Sequence, residues 1–511
     1  MKGAARVAGG ILVTRVLGYV RERVFAHYFG NGAAADAFRA ALRIPNALRN
    51  LLGEGTLSAS FIPVYARLNE QNKDAARALA GAILGLLLLA SGLLAVLGIA
   101  FAPAITTLVA QGFDAPRRDL TIVLVRILFP MTGLMVVSAW CLGILNTHRR
   151  FFLPYAAPAL WNIAGIAAMV GAAAWLKGDG LYGLSLALAW GTVAGSVLQI
   201  AIQLPTCWRL LQGIPLRVSL APEGVSSVII AWLPLVLGAG VAQISGLVDT
   251  FLGSYTGEGG LASLGYAQLV QVLPISMFGV AVTAVALPDL SRDAIAANAN
   301  DQLRARIAVG FRRIAYFVMP SAFAFAALGP TIIGLLFQTG RFDADDTLRV
   351  GGVLAAYGIG LLGQSTVKLF ASGFYALRDT RTPVLIAIVS LVVSGLLSWL
   401  FMGRFGPAGI ALGSSIGGTL NMALNLRELD RRIGAVLQRP AWRVLGLVVV
   451  AALIAAAAAY GADVLVPSWR PIARGIAVLG IFGVAYGALT LAFRHPDAIR
   501  AWQSLTGSPA N

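Results

Sequence analysis

Residues 7–55 read VAGGILVTRVLGYVRERVFAHYFGNGAAADAFRAALRIPNALRNLLGEG. Two stretches of membrane-spanning length begin here, near 7–29 and 36–62, and charge interrupts both. Arg15, Arg21, Glu22 and Arg23 stand in the first, and Arg39, Arg43, Arg49 and Glu54 in the second. An arginine at the centre of a membrane helix costs about 2.5–3.5 kcal/mol on insertion scales. Several of them in two helices require polar surroundings, and a water-filled interior cavity supplies these. The excess is cationic, so the natural ligand is an anion, and guanidinium forks fit phosphate oxygens bidentately. Gly18, Gly30, Gly32, Pro45, Gly53 and Gly55 surround the charges and allow bending, although glycine is also ordinary in membrane helix packing. A plainer account is open for some of them: Arg23 and Arg39 snorkel to the interface, and Glu22 or Glu54 simply neutralises an arginine.

The rest of the 511 residues gives the same reading. The chain is 58% hydrophobic and only 12% charged, with a mean hydropathy of +0.79. These are the proportions of an all-α integral membrane protein. At roughly 20 apolar residues per helix there is room for about fourteen spans and no sizeable soluble domain. The runs are continuous and lack period-2 alternation, which excludes a barrel. Further spans fall near 78–110, 119–145, 153–176 and 181–206, then 227–255, 260–290, 307–338, 347–376, 382–403 and 408–427, and a last pair at 443–466 and 471–493. They divide into an N-lobe over 1–206, a cytoplasmic linker over 207–226, a C-lobe over 227–430, and a C-terminal helix pair with a tail over 431–511. The two lobes have six helices each and are pseudo-symmetric.

The net charge of +17 sits between apolar runs, where anionic headgroups and topology account for it, so nucleic acid is not an expected partner. Arg67, Lys73, Arg77, Arg149, Arg150, Arg209, Arg217, Arg292, Arg304, Arg306, Arg312 and Arg313 lie in alternate loops. The opposite loops hold chiefly Arg117, Arg118, Lys177, Arg341, Arg404, Arg470 and Arg474. The positive-inside rule then puts both termini in the cytoplasm, with an even number of spans.

An internal duplication is legible at a shift of 227. Tyr28, Gly30 and Gly32 return as Tyr255, Gly257 and Gly259, and Pro103, Ile105, Leu108 and Gln111 as Pro330, Ile332, Leu335 and Gln338; Phe113-Asp114 recurs two residues later as Phe342-Asp343. Six spans return a chain to its starting side, so the halves run parallel, an arrangement common in transporters with a site between repeats. Enzyme signatures are missing: His27, His148 and His495 stand in no HExxH or zinc spacing, and there is no Walker A. No cofactor is expected. Cys141 and Cys207 are too few for a disulfide framework. Asp343, Asp345 and Asp346 read as a solvated turn. Asp249, the sole acid of the seventh span, is either a cation or proton site or the partner of Lys368 or an arginine.

The stretch TRVLGYVRE at 14–22, then Phe29-Gly30, Ala35-Asp36-Ala37-Phe38, Arg43-Ile44-Pro45-Asn46, Leu48-Arg49 and Gly53-Glu54-Gly55, resembles the MurJ (MviN) family of lipid II flippases. Ile144-Leu145-Asn146-Thr147, Phe337-Gln338-Thr339-Gly340-Arg341-Phe342 and Gly373-Phe374-Tyr375 ahead of Thr382-Pro383 carry the likeness through the chain. The resemblance implies the multidrug/oligosaccharidyl-lipid/polysaccharide exporter fold, fourteen helices and alternating access. It implies a cargo, the undecaprenyl-diphosphate-linked peptidoglycan precursor. On this resemblance Arg15, Arg21 and Arg49, with Arg43 and Asn46, are substrate-binding residues. Glu22, Glu54 and Asp36 are gating or charge-pairing residues, Asp249 with Ser414 is a candidate cation site, and the last two helices offer a groove for the polyprenyl tail. Two departures stand out. Leu269 follows Tyr266-Ala267-Gln268 where the family carries an arginine, and Gln268 and Gln271 do not replace it. Ser394, Ser398 and Ser414 stand where stronger sodium ligands are expected. Competing expectations are a same-fold exporter of another polyprenyl-linked glycan or an amphiphilic drug, and a transport-inactive scaffold for cell-wall enzymes. The expected partners are membrane lipids, lipid II or a related glycan, and cell-wall synthesis enzymes, with the chain itself a monomer.

Overall fold

The computed structural model of the protein describes residues 2–175, 180–293 and 299–506; Lys177 and the side chains of Lys2, Arg6 and Glu54 lie outside the described residues. Among the described residues there are helices and no strand. Ten helices are long and apolar enough to cross a membrane, or up to eleven if a pair bent by 40° at Gly360 makes one span. The chain is therefore an all-helical, multi-pass membrane protein. Its contacts divide it into two units, Met1–Leu261 with Thr339–Arg341, and Ala262–Gln338 with Phe342–Asn511.

The first unit contains α1 (Lys2–Phe29), α2 (Ala33–Leu52), α3 (Glu54–Gln71), α4 (Lys73–Ala100), α5 (Ala102–Val109), α6 (Ala115–Thr147), α7 (Phe152–Ala156), α8 (Pro158–Trp175), α9 (Leu181–Leu210) and α10 (Val225–Ser254). α6 is its centre and packs on α2, α4 and α9. α2 presents an alanine face to this core, with Ala34, Ala37, Ala40, Ala41 and Ala47 all buried, so Arg39, Arg43, Asn46 and Asn50 fall on the other side. Gly53 separates α2 from α3, its φ of −109° and ψ of −118° being outside the helical region. Asn72 starts α4, its side-chain oxygen accepting from the amides of Asp74 at 3.0 Å and Ala75 at 3.1 Å, an N-cap in geometry. Trp140 of α6 is fully buried and donates its indole N–H to the Ala80 carbonyl at 3.0 Å.

The linker after α9 lies along α4. The carbonyl oxygens of Pro215 and Arg217 occupy the space that Cβ atoms on Gly81 and Gly85 would need. Four residues of helix advance about 6 Å and two residues of extended chain about 6.6 Å, so the two backbones keep step.

The second unit contains α11 (Gly260–Pro274), a π-helical turn (Ile275–Val280), α12 (Ala281–Asp293), α13 (Ala299–Phe337), α14 (Ala344–Ile359), α15 (Leu361–Ala376), α16 (Arg381–Phe405), α17 (Pro407–Ile433), α18 (Arg439–Leu465), α19 (Pro471–Ala492) and α20 (Pro496–Thr506). α13 is the pillar, against which α14, α15, α18 and α19 pack. It kinks at Leu328, φ −121° and ψ 18°, two residues before Pro330, which lacks the N–H that a straight helix needs. Asp343 caps α14 by accepting from the Asp346 amide at 2.8 Å. Asp345 and Asp346 then lie in the first turn of that helix, where its dipole favours negative charge.

Candidate functional site

The polar residues of α2 recur as Arg39, Arg43, Asn46 and Asn50, at i, i+4, i+7 and i+11. That spacing makes one helical stripe, opposite the alanines that pack on α6. Its first member meets α1. Glu22 of α1 accepts from Arg21 through Oε1 at 2.6 Å and from Arg39 through Oε2 at 3.0 Å. The three side chains are only 13–20% exposed, so one carboxylate holds two guanidiniums in a sheltered place and leaves one positive charge in excess.

A cleft of about 380 Å³, including its mouth, opens at this cluster, between α1, α2, α8 and α9. Aromatic rings back the cations. The Arg21 guanidinium lies 4.3 Å from the centre of the Trp161 ring, and that of Arg39 lies 5.2 Å from Phe25, both within cation–π range. Leu42, Leu188 and Met169 complete an apolar wall. The Trp161 indole nitrogen is buried without an acceptor. A cationic edge, an aromatic floor and an unused N–H suit an anionic group attached to an amphiphilic body.

The other expected site residues are placed as follows. Arg15 is exposed on α1; six residues from Arg21, it is turned about 120° away and does not line the cleft. Arg43 points at α10, its guanidinium seated where Gly246 has no side chain. Two turns further along α2, Asn50 donates to Gln243 of α10 at 3.5 Å. Asp249, half-buried, is on this same helix three residues after Gly246. Asn46 has a buried side-chain oxygen, and Arg49 a buried Nε, without hydrogen-bond partners. Arg49 stands in the last turn of α2, and its carbonyl accepts from Gly53 at 2.8 Å. The Glu54 side chain lies outside the described residues.

Asp36 is fully buried away from this stripe's cleft. It accepts from the Gly259 amide at 2.7 Å and from Arg117 at 3.4 Å. Glu258 accepts from the Ala33 amide at 3.0 Å, so the turn after α10 clasps the start of α2. Arg117 also bonds Asp114, and that hydrogen bond holds the Asp114 carboxyl below its ordinary range. Beside it, the His27 carbonyl accepts from the Arg341 amide at 2.9 Å, and the His27 ring meets the Thr339 hydroxyl at 3.0 Å.

In the second unit, Ser414 is half-buried on α17. Ser398 is buried and donates to the Ile410 carbonyl at 3.1 Å, and Ser394 packs against Gly417, so both serve the seam between α16 and α17. Gln268 donates to the Tyr357 hydroxyl at 3.0 Å and Gln271 to Gln364 at 2.9 Å. Among the described residues no three His, Cys, Asp or Glu side chains gather as a metal site.

The sequence reading left Arg39 among residues that snorkel, and it did not single out Trp161. The stripe on α2 was the available signal for Arg39. Trp161 had none, because its partner is 140 residues earlier in the chain.

Comparison with known proteins extends this picture. A family model described as lipid II flippase MurJ matches residues 25–478. The lipid II flippase MurJ of Burkholderia cenocepacia is 37% identical over 444 residues, covering 85% of this chain and 84% of the relative. A probable lipid II flippase MurJ of Rhizobium meliloti is 32% identical over 471 residues, with 90% and 86% covered. Among solved structures, a lipid II flippase MurJ in an inward closed conformation superposes with a TM-score of 0.79 at 22% identity, covering 96% of this chain and 98% of the other. An inward-facing multidrug transporter of the MATE family gives 0.62 at 18% identity, with 85% and 98% covered.

Proposed function

Because the chain belongs to the MurJ family of lipid II flippases, membrane transporters that serve peptidoglycan biosynthesis, we propose that it moves lipid II across the bacterial inner membrane by alternating access. The headgroup is held in a cationic cavity while the polyprenyl tail stays in lipid. The observation that carries this reading is the pair of guanidiniums on Glu22 beside an open, aromatic-backed cleft. In the empty state Glu22 offsets part of the positive charge. An arriving diphosphate offers more oxygens and more charge than one carboxylate, so Arg21 exchanges Glu22 for phosphate and the cost of burying the anion falls. Arg43, Asn46 and Arg49 continue the polar path along α2, and Arg15, on another face of α1, meets the cargo outside the cleft. Asp36 acts as a charge partner at the start of α2. With no ATPase signature in the sequence, the bias comes from a gradient or the membrane potential, worth about 2.3 kcal/mol per charge per 100 mV.

Fourteen spans follow if α1, α2 with α3, and α17 are added to the ten apolar helices and the bent pair. Two six-helix lobes and a terminal pair, with both termini cytoplasmic, complete the arrangement. Two features support the duplication: Gly30 and Gly257, 227 residues apart, both have positive φ, 62° and 82°, and Asp114 and Asp343 both precede the first turn of a helix. The chain acts as a monomer, with cell-wall synthesis enzymes as neighbours. A second reading, export of another polyprenyl-linked glycan, draws support from Leu269, which leaves the eighth span without a cation.

Complementation of cells depleted of their own flippase tests the assignment. Arg21→Ala and Arg49→Ala are expected to fail at normal membrane abundance; full rescue by the double variant would refute the cationic cavity. Binding of purified protein to lipid II, compared with a polyprenyl diphosphate bearing a different sugar, separates the two cargoes.

A further inference from the structure

Arg126 stands in α6, eleven residues after its start at Ala115, or about 16 Å along the helix axis and within the apolar run. It is exposed, and among the described residues it has no ion-pair or hydrogen-bond partner. A guanidinium at such depth is costly unless something anionic reaches it. Pro130 follows four residues later and provides no N–H to the Arg126 carbonyl. One residue therefore presents both an unsatisfied cation and a backbone acceptor that its own helix leaves unmatched.

Its surroundings fix the place. Phe129 of α6 packs on Gly98 of α4 and Gly133 on Ser91, so the helices run antiparallel. Arg126, one turn before Phe129, is level with the end of α4 at Ala100, where helix carbonyls make a negative pole. Phe101, directly after Ala100, is 58% exposed, which leaves this flank open and apolar. The facing charge on α6 is Asp119, also exposed. It lies seven residues earlier, about 10 Å along the axis, and forms no pair with Arg126. Long side chains lean toward the N-terminus of their helix, so the guanidinium rises toward the nearer headgroup layer.

We propose that Arg126 is a lipid-phosphate station on the outer flank of α6: its guanidinium binds a lipid phosphate, and its carbonyl accepts from a hydroxyl or ammonium where the headgroup carries one. This holds independently of which cargo the protein carries. The phosphate can belong to a bulk phospholipid or to a polyprenyl carrier, and the test separates them. The full chain is placed in dodecyl maltoside micelles, which carry no phosphate, containing either phosphatidylglycerol or undecaprenyl phosphate, and lipids retained when the micelle is stripped are weighed by native mass spectrometry. Wild type is expected to keep about one more phosphate-lipid adduct than Arg126→Gln, and Arg126→Lys to keep it but release it at lower collision energy, since it lacks the bidentate fork. Loss of the adduct with phosphatidylglycerol identifies a bulk lipid; loss with undecaprenyl phosphate alone identifies the carrier. The same adducts in wild type and Arg126→Gln with both lipids would overturn the proposal. If the glutamine variant does not fold, an Arg126→Lys protein indistinguishable from wild type overturns it equally.

Discussion

Each carboxylate oxygen of Glu22 holds one guanidinium, that of its chain neighbour Arg21 at 2.6 Å and that of Arg39, 17 residues on, at 3.0 Å. Taking the carboxylate away leaves two sheltered cations repelling each other, and breaking a buried ion pair costs on the order of 3 kcal/mol. Glu22→Ala is therefore expected to melt several degrees lower in detergent, and Glu22→Ala with Arg39→Ala to recover most of that loss. Equal melting of wild type and the single variant would show that solvent already screens the cluster. Arg21 and Glu22 were legible as interior charges because they interrupt an apolar run. That Arg39 joins them was not, since a side chain's reach across two helices depends on how each is rotated.

At the level of elements, glycine decides how closely the linker lies on α4. Gly85→Val would drive a side chain into the Arg217 carbonyl, and the extended segment would have to lift. Trypsin is expected to cut the variant at Arg217 several times faster than wild type, with unchanged cutting elsewhere; identical digestion would mean the linker is held by other contacts. A second join ties the loop before α16 to the end of α17. Asp379 accepts from the Thr382 hydroxyl at 2.6 Å and its amide at 3.0 Å, and from Arg432 at 2.6 Å. These bonds, the Thr382 hydroxyl first, hold its carboxyl well below the usual range. A depressed pKa stabilises the folded state fully above the unfolded value of about 4 and is lost as pH falls through the lower folded value. The melting advantage of wild type over Asp379→Asn is expected to shrink below about pH 4; a constant difference would mean that the carboxylate charge contributes nothing.

At the scale of the whole molecule, a charged residue near the end of one helix can tie three helices together. Asp463 of α18 accepts from Nε and Nη2 of Arg474 of α19, both at 2.7 Å, and from the Thr331 hydroxyl of α13 at 3.0 Å. This pins the α18–α19 hairpin to the pillar of its unit. Asp463→Ala is expected to lower the melting temperature and to expose the hairpin loop at 466–470 to protease; an unchanged protein would leave apolar packing as the only anchor.

The helical class, the membrane setting, the unusual charge of α1 and α2 and the family resemblance were all present in the residues themselves. Hydropathy and short-range spacing are local properties, and a helix in lipid satisfies its own backbone. Which partner each charged side chain meets was settled only on folding: Glu22 takes Arg39, Gly246 receives Arg43, and the Gly259 amide engages Asp36. Such pairings depend on helix rotation and on glycines that remove a single Cβ from a crossing point, and no window of sequence short enough to read contains both partners.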